Sequence, residues 1–337
     1  GYKLPDEVED EIESHIFDGG ARLSLCTGTD IGTGSVCKTA LADYVDFVKK
    51  AVGAPLTGLR VAIDCANGAA CESAAALFPA LGAECRFLGD RPDGGNINAG
   101  CGSTHLDRLA QFVRENGLDC GVAFDGDADR CLAVDETGSE IDGDKIIAIL
   151  AQKLRADGRL PEDTAVVTVM SNMGFLEYMK ENGMRTAITA VGDRYVLEEM
   201  RDKGYAIGGE QSGHIILLEH ATTGDGQLTA GMLLRVLAQR GCRMSELNGV
   251  YTRFPQVILN VAATNEEKAR YKEDEYIAGF VESQQQSLMG MGRVLVRASG
   301  TEPLIRVMVE GRDEEAIALS ARRIATKIEE RIRAKQG

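Results

Sequence analysis

Two related α/β layers in tandem, with mixed sheets, followed by a small α+β C-terminal domain, are the architecture these 337 residues predict. Three observations carry that reading. Leu59 to Asp64 is an apolar run followed by an Asn-Gly turn, an Ala-rich stretch to Leu81, a glycine and a second run at Glu84 to Leu88, which is the order of a βαβ unit. The order recurs later: VAIDCANG at 61–68 lines up with VVTVMSNMG at 166–174, and Thr186 to Val191 supplies the following strand. From Tyr251 the composition changes to short strands, a polar segment at 266–286 and a charged helix at 314–334, which places a boundary near 245–252.

The remaining elements follow in chain order. After Pro5, acidic residues and the spacing Val8, Ile12, Ile16 predict a short helix, and the Gly- and Thr-rich stretch 18–37 reads as loop. Leu41 to Val52 is an amphipathic helix with Leu41, Val45 and Val48 on one side. Gly82 caps the first crossover helix, 92–102 is a loop, and Leu106 to Asn116 is a helix closed by Gly117. Lys145 to Leu154 is helical, Ala165 to Met170 a strand, Gln227 to Gln239 an apolar helix and Cys242 to Val250 a connector.

Composition narrows the function. The chain is 44% hydrophobic and 26% charged, as in soluble globular proteins, and its length suits two or three domains. A net charge of −15 with no basic arm disfavours a nucleic-acid partner, so an anionic substrate must be held by local arginines and backbone donors. Nine scattered cysteines without a CxxC pair read as free thiols of a reducing cytoplasm. No run approaches the about 20 apolar residues of a membrane span.

Three stretches carry chemistry. In GVAFDGDADRCLAVD, 121–135, apolar strands flank Asp125, Asp127 and Asp129. Carboxylates so crowded repel unless a cation or water joins them, and Mg²⁺ suits a short loop of hard oxygens. A calcium loop of the EF-hand type would need glycine where Arg130 stands, and helical flanks. Arg130 beside the carboxylates suits a phosphate bridging the two. In YAIGGEQSGHIILL, 205–218, Glu210, Ser212 and His214 alternate, so an extended backbone would turn all three to one side to grip sugar hydroxyls and offer a proton donor. A structural histidine on a polar strand edge is the rival reading for His214, and His15, His105 and His220 read as surface residues. In RVLVRASGTEPLIRVMVEG, 293–311, two strands flank Ser299-Gly300-Thr301, whose N–H groups and hydroxyls suit a phosphate nest with Arg297 and Arg306, the rival reading being a plain hairpin turn. Gly192-Asp193-Arg194 opens a helix at a strand's C-terminal end, where open α/β sheets bind ligands.

Taken in order, FDGDADR, SNMG, VGDRYV, GEQSGH, TTGDG and RASGTEPLIRVMVEG resemble the α-D-phosphohexomutase superfamily, most closely its bacterial phosphoglucosamine mutase branch. The resemblance runs from GYKLPD to the end. It implies Asp125, Asp127 and Asp129 as Mg²⁺ ligands, Arg130 as a catalytic residue meeting phosphate, and His214 as a proton-transfer participant. It also implies Gly192, Asp193, Arg194, Glu210, Ser212 and His214 as sugar-binding residues, and Arg297, Ser299, Gly300, Thr301 and Arg306 as the phosphate loop. The implied reaction interconverts a hexosamine 6-phosphate and 1-phosphate through a bisphosphorylated intermediate. The implied domains are 38–140 (metal loop), 141–246 (sugar loops) and 247–337 (phosphate loop), with 1–37 the remnant and linker of a first domain. That first domain would carry a phosphoserine in a motif like TASHNP, which is absent here, so the resemblance implies a chain inactive by itself. A phosphomannomutase or phosphoglucomutase, or a phosphosugar-binding module without turnover, are the alternatives.

Overall fold

The computed structural model describes residues 2–20, 24–299 and 302–334. The chain forms two compact units, Gly1–Met170 with Gly183–Val250, and Ser171–Asn182 with Tyr251–Gly337.

In the first unit, α1 (Asp6–Phe17) and α2 (Ala40–Val52) precede the sheets. Val48 and Val52 of α2 are fully buried, whereas Leu41, in its first turn, is 41% exposed and does not join them. The first sheet is built from β1 (Arg60–Asp64), α3 (Ala70–Ala80), β2 (Glu84–Leu88), α4 (Asp107–Glu115), β3 (Cys120–Phe124), β4 (Cys131–Asp135) and β5 (Glu140–Ile141), in the strand order β2-β1-β3-β4-β5. β1 is parallel to β2 and β3, and β4 is antiparallel to β3 and β5. α4 buries Leu109, Ala110 and Val113 against Ala62, Ala123 and Val134 of this sheet.

The chain continues through α5 (Gly143–Ala156), β6 (Thr164–Thr168), α6 (Met173–Glu181), β7 (Arg185–Thr189), α7 (Asp193–Lys203), β8 (Ile207–Gly209), β9 (Ile215–Leu217), α8 (Gly226–Arg240) and α9 (Met244–Asn248). The second sheet has the order β7-β6-β8-β9, with β6 parallel to β7 and β8, and β9 antiparallel to β8. Strand for strand this repeats β2-β1-β3-β4, so the tandem layers read from 61–68 and 166–174 are present. α5 and α8 pack against strands of both sheets, and most of their residues are therefore buried. Asp142 and Asp225 cap them, accepting from the amides of Lys145 and Leu228.

The second unit holds α6, β10 (Gln256–Ala262), α10 (Asn265–Glu273), α11 (Glu275–Ser287), β11 (Gly292–Ala298), β12 (Leu304–Gly311) and α12 (Glu314–Ala334). Its antiparallel sheet has the order β10-β12-β11, and Ile317, Ile324 and Ile328 of α12 close the core with Val307, Val309 and Ile277. α6 is held in this unit by Asn172, whose side chain exchanges hydrogen bonds with both backbone groups of Phe254 at 2.9 and 3.1 Å. The amide of Met173 adds a bond to buried Glu310 at 2.9 Å.

Two local expectations are corrected, for 242–250 and for His220, and the polar segment 266–286 gains its secondary structure. Residues 242–250 are no plain connector, because the Glu246 carboxylate accepts from the Arg243 amide at 3.0 Å and starts α9. The polar segment 266–286 is two helices, one opened by the Thr264–Glu267 capping box and the next by Asp274. His220 is half-buried rather than on the surface, and that burial lowers its pKa. All nine cysteines are free, with Cys65, Cys101, Cys120 and Cys131 buried and Cys26 and Cys37 exposed.

Candidate active site

The acidic turn joins β3 to β4, beside the point where the sheet order reverses around β1, a position where such sheets bind ligands. Neighbouring backbone fixes its shape. The amide of Ala69, just before α3, donates to Gly126 O at 2.9 Å, and the Asn67-Gly68 turn passes so close that a side chain on Gly68 would collide with Gly126. Ala128 takes the left-handed conformation at φ 61°, an uncommon one for a residue with a Cβ. Asp125 Oδ1 accepts from the Arg130 amide at 3.2 Å, and Arg130 Nε stands 3.9 Å from Asp125 and 4.0 Å from Asp129. Burial and then the neighbouring Asp129 charge push the Asp125 carboxyl above its ordinary range. Asp127 is exposed.

Stretch 205–218 is not a continuous extended strand. It is a hairpin, in which Gly213 N donates to Glu210 O and Glu210 N to His214 O, both at 3.0 Å, with Gly213 at φ 95°. The glycines that punctuate this stretch make the turn, so strand alternation does not place the three side chains: Ser212 is exposed and His214 is buried. Glu210 accepts from the Gly192 amide at 3.1 Å and lies 3.3 Å from the Ser212 hydroxyl, which is exposed. His214 is buried, with Nδ1 at 3.1 Å from Asp129 Oδ2. The two turns hold equivalent places in the two repeats and meet at a bridge between Arg130 and His214. Gly143, opening α5, supports the hairpin turn through its amide bond to Gln211 O at 2.9 Å.

The segment 222–226 completes this cluster. Gly224 N donates to His214 Nε2 at 3.0 Å, and Gly226 N to Ala128 O at 2.9 Å. A side chain on Gly224 would lie 2.7 Å from the imidazole and from Asp129 O. Nothing in the letters TTGDG names a partner, and only the resemblance singles this segment out in the sequence. Gly192, Asp193 and Arg194 open α7 as expected, but Asp193 pairs with Lys3 while Arg194 bonds Leu4 O at 3.1 Å and Glu198 at 3.4 Å. Asp193 Oδ2 is also 3.5 Å from His214 Nε2.

In the second unit, Arg297 on β11 and Arg306 on β12 are directly opposed. Like charges in that register repel, so the pair favours a counter-anion. Glu302 supplies one to Arg306 at 2.9 Å. Ser299 Oγ accepts from Glu302 N at 3.1 Å; Gly300 and Thr301 lie outside the described residues. Sequence reasoning missed Lys268, which is buried on α10 and donates to Ser299 O at 2.8 Å and Glu302 O at 3.1 Å, pinning both flanks of the loop.

Among the described residues, no three His, Cys, Asp or Glu side chains are grouped as a metal site. The donors of the acidic turn nonetheless fit a hard divalent cation. They are carboxylates, and Asp129 Oδ1 is buried without a hydrogen-bond partner. No helix among the described residues is long and apolar enough to cross a membrane.

Comparison with known proteins gives these sites a family. Models of phosphoglucomutase/phosphomannomutase α/β/α domain II, α/β/α domain III and C-terminal domain match residues 42–138, 142–254 and 258–327. The chain is 50% identical to the phosphoglucosamine mutase of Ruminiclostridium cellulolyticum over 98% of its own length and 74% of that protein. With the phosphoglucosamine mutase of Clostridium perfringens it shares 50% identity over 98% of its length and 73% of that protein's. A phosphoglucomutase/phosphomannomutase family structure from Burkholderia thailandensis superposes with a TM-score of 0.77 at 22% identity, covering 98% of this chain and 71% of that one. An Aspergillus fumigatus N-acetylphosphoglucosamine mutase in complex with GlcNAc-6P and magnesium shares the fold at a TM-score of 0.69 and 21% identity, over 88% of this chain and 67% of that one. The chain belongs to the phosphoglucomutase/phosphomannomutase family and stands within it among the phosphoglucosamine mutases.

Proposed function

We propose that the parent enzyme interconverts glucosamine 6-phosphate and glucosamine 1-phosphate, with the phosphoserine of the implied first domain as phosphoryl donor, and that this chain supplies the Mg²⁺ ligands Asp125, Asp127 and Asp129. The observation that carries the site assignment is the union of the acidic turn and the 210–214 hairpin, built from equivalent positions of two repeats and joined through Asp129 and His214. The cation, when bound, neutralises phosphoryl charge. Arg130 presents a guanidinium on the same turn, and phosphoryl transfer draws most of its acceleration from such positioning and neutralisation. Glu210, fixed by the Gly192 amide, offers acceptor oxygens and Ser212 an exposed hydroxyl to sugar hydroxyls or the amino group. Arg297, Ser299, Gly300, Thr301 and Arg306 hold the non-reacting phosphate, which relieves the repulsion between the two opposed arginines. The implied partition into 38–140, 141–246 and 247–337 assigns one of these tasks to each segment.

Two measurements test this. Titrating the chain with glucosamine, glucose and mannose 6-phosphates should show tightest binding of the amino sugar; equal binding of all three would move the reading to phosphomannomutase or phosphoglucomutase. Asp127→Asn should weaken Mg²⁺ binding by calorimetry, and an unchanged affinity would remove the acidic turn from the mechanism.

A further inference from the structure

We infer that Asn98 is a further ligand-contacting residue of this site: its side-chain amide, held against Gly126 of the acidic turn, donates to an oxygen of the phosphoryl group bound at the cation. The inference rests on the reading of that turn as a cation site, and it adds a neutral donor to the charged groups already assigned there.

The loop 91–102 is tied to the C-terminal ends of the two strands that frame the turn. Asn98 N donates to Ala66 O at 2.9 Å, just past β1, and Gly102 N to the buried Asp64 Oδ2 at 2.9 Å. Ser103 N donates to Phe124 O, at the end of β3, at 2.8 Å. These bonds bring Ile97 and Asn98 over Gly126, between Asp125 and Asp127. A Cβ on Gly126 would lie 2.5 Å from Ile97 Cγ2 and 3.0 Å from Asn98 Nδ2, so the turn needs glycine there to admit the loop.

Asn98 takes the left-handed conformation at φ 57°. Asparagine is tolerated there because its short side chain can bond nearby backbone. Asn67, at φ 49°, does so: its Oδ1 accepts from Arg91 N at 3.1 Å and its Nδ2 donates to Asn96 O at 3.3 Å. The Asn98 amide does not. Among the described residues its Oδ1 is buried without a hydrogen-bond partner, and its Nδ2 meets no acceptor. An uncommon backbone conformation and an unsatisfied buried oxygen both cost stability, and turn chemistry explains neither of them here. What remains is the free donor, on the end of the amide that faces Gly126. An N–H donor can bond a phosphoryl oxygen but offers nothing to a bare cation, and it adds no charge to a turn that already carries three carboxylates.

Calorimetric titration of the chain with glucose 1,6-bisphosphate, with and without Mg²⁺, tests this. Asn98→Gly removes the amide and suits the left-handed backbone. It should be at least as stable as the unaltered chain, keep its Mg²⁺ affinity, and lose about 10-fold or more in bisphosphate affinity when Mg²⁺ is present. Without Mg²⁺ the two chains should bind the bisphosphate alike. Asn98→Asp, of the same shape but with an oxygen in place of the donor, should lose more than Asn98→Gly. Unchanged bisphosphate affinity in Asn98→Gly overturns the inference and leaves the cation reading intact. A parallel loss of stability and Mg²⁺ affinity overturns it too, since Asn98 would then be a support of the turn. If Mg²⁺ neither binds the unaltered chain nor alters its affinity for the bisphosphate, the cation reading fails and the inference fails with it.

Discussion

Gly143 opens α5 directly beneath the hairpin turn that carries Glu210 and His214, so its replacement by alanine sets helix propensity against tertiary packing. Propensity favours alanine by up to about 1 kcal/mol in a helix interior. Packing opposes it, because the added carbon would lie 2.8 Å from Gly213 N and 2.9 Å from Gln211 O, with Glu210 O closer still, and all three are backbone atoms. Relief requires the turn to lift, which breaks the 2.9 Å bond from Gly143 N to Gln211 O. Overpacking costs roughly 1–3 kcal/mol and the lost bond about 0.5–1.5 kcal/mol, so a net loss of about 2–3 kcal/mol is expected. Native-state amide exchange across α5, β8 and β9 measures the stability, and calorimetric titration with glucosamine 6-phosphate measures the site, which should weaken with it. Gly279→Ala in α11 is the control: nothing lies within 4 Å of its added carbon, so the same substitution should stabilise by up to about 1 kcal/mol. If Gly143→Ala proves as stable as the unaltered chain and binds the phosphosugar equally well, the support of the turn by α5 is refuted.

Arg306→Ala should weaken phosphosugar binding by roughly 1.5–3 kcal/mol, the range of a charge-assisted hydrogen bond, and an unchanged dissociation constant would discredit the phosphate loop. Lys268→Met should speed amide exchange in the flanks at Ser299 and Glu302 and lower phosphate affinity several-fold, because both carbonyls lose their common donor; unaltered exchange would show that the loop holds itself. Burial disfavours the Asp135 carboxylate, but donors from Asn248, Thr137 and Ser139 outweigh it and hold its pKa below the ordinary range. Its contribution is therefore present above the unfolded value near pH ~3.9 and lost as pH falls through the lower folded one. The stability gap between the unaltered chain and Asp135→Asn should narrow on acidification, and a constant gap would contradict the assignment.

The acidic turn was legible because its signal is local, with apolar strands on either side and carboxylates at alternate positions. The tandem repeat was legible for a related reason, since each βαβ unit carries its own turn and cap. The hairpin at 210–213 was misread as extended. Alternation of polar residues is the same in a strand and across a tight turn, and only the pairing of Ile207 with Leu217 distinguishes them. α9, α10 and α11 were hidden for a different reason. Their polar composition masked the periodicity, although Thr264 with Glu267 and Asp274 are capping signals that could have marked two of them. Nothing local could have found Lys268, whose partners lie 31 and 34 residues away.

By itself the sequence determined which groups are chemically available: three carboxylates and an arginine on one turn, a glutamate, serine and histidine on another, and two arginines flanking a Ser-Gly-Thr run. Backbone propensity and residue chemistry act over a few neighbours, and such information survives in one dimension. Only the tertiary structure decided what each group faces. Asp129 and His214 are 85 residues apart, and Gly224 joins them only because β4, β9 and the segment before α8 converge on one point. A hydrogen bond depends on the separation of two atoms in space, and that separation is set by how the two sheets pack around α5 and α8.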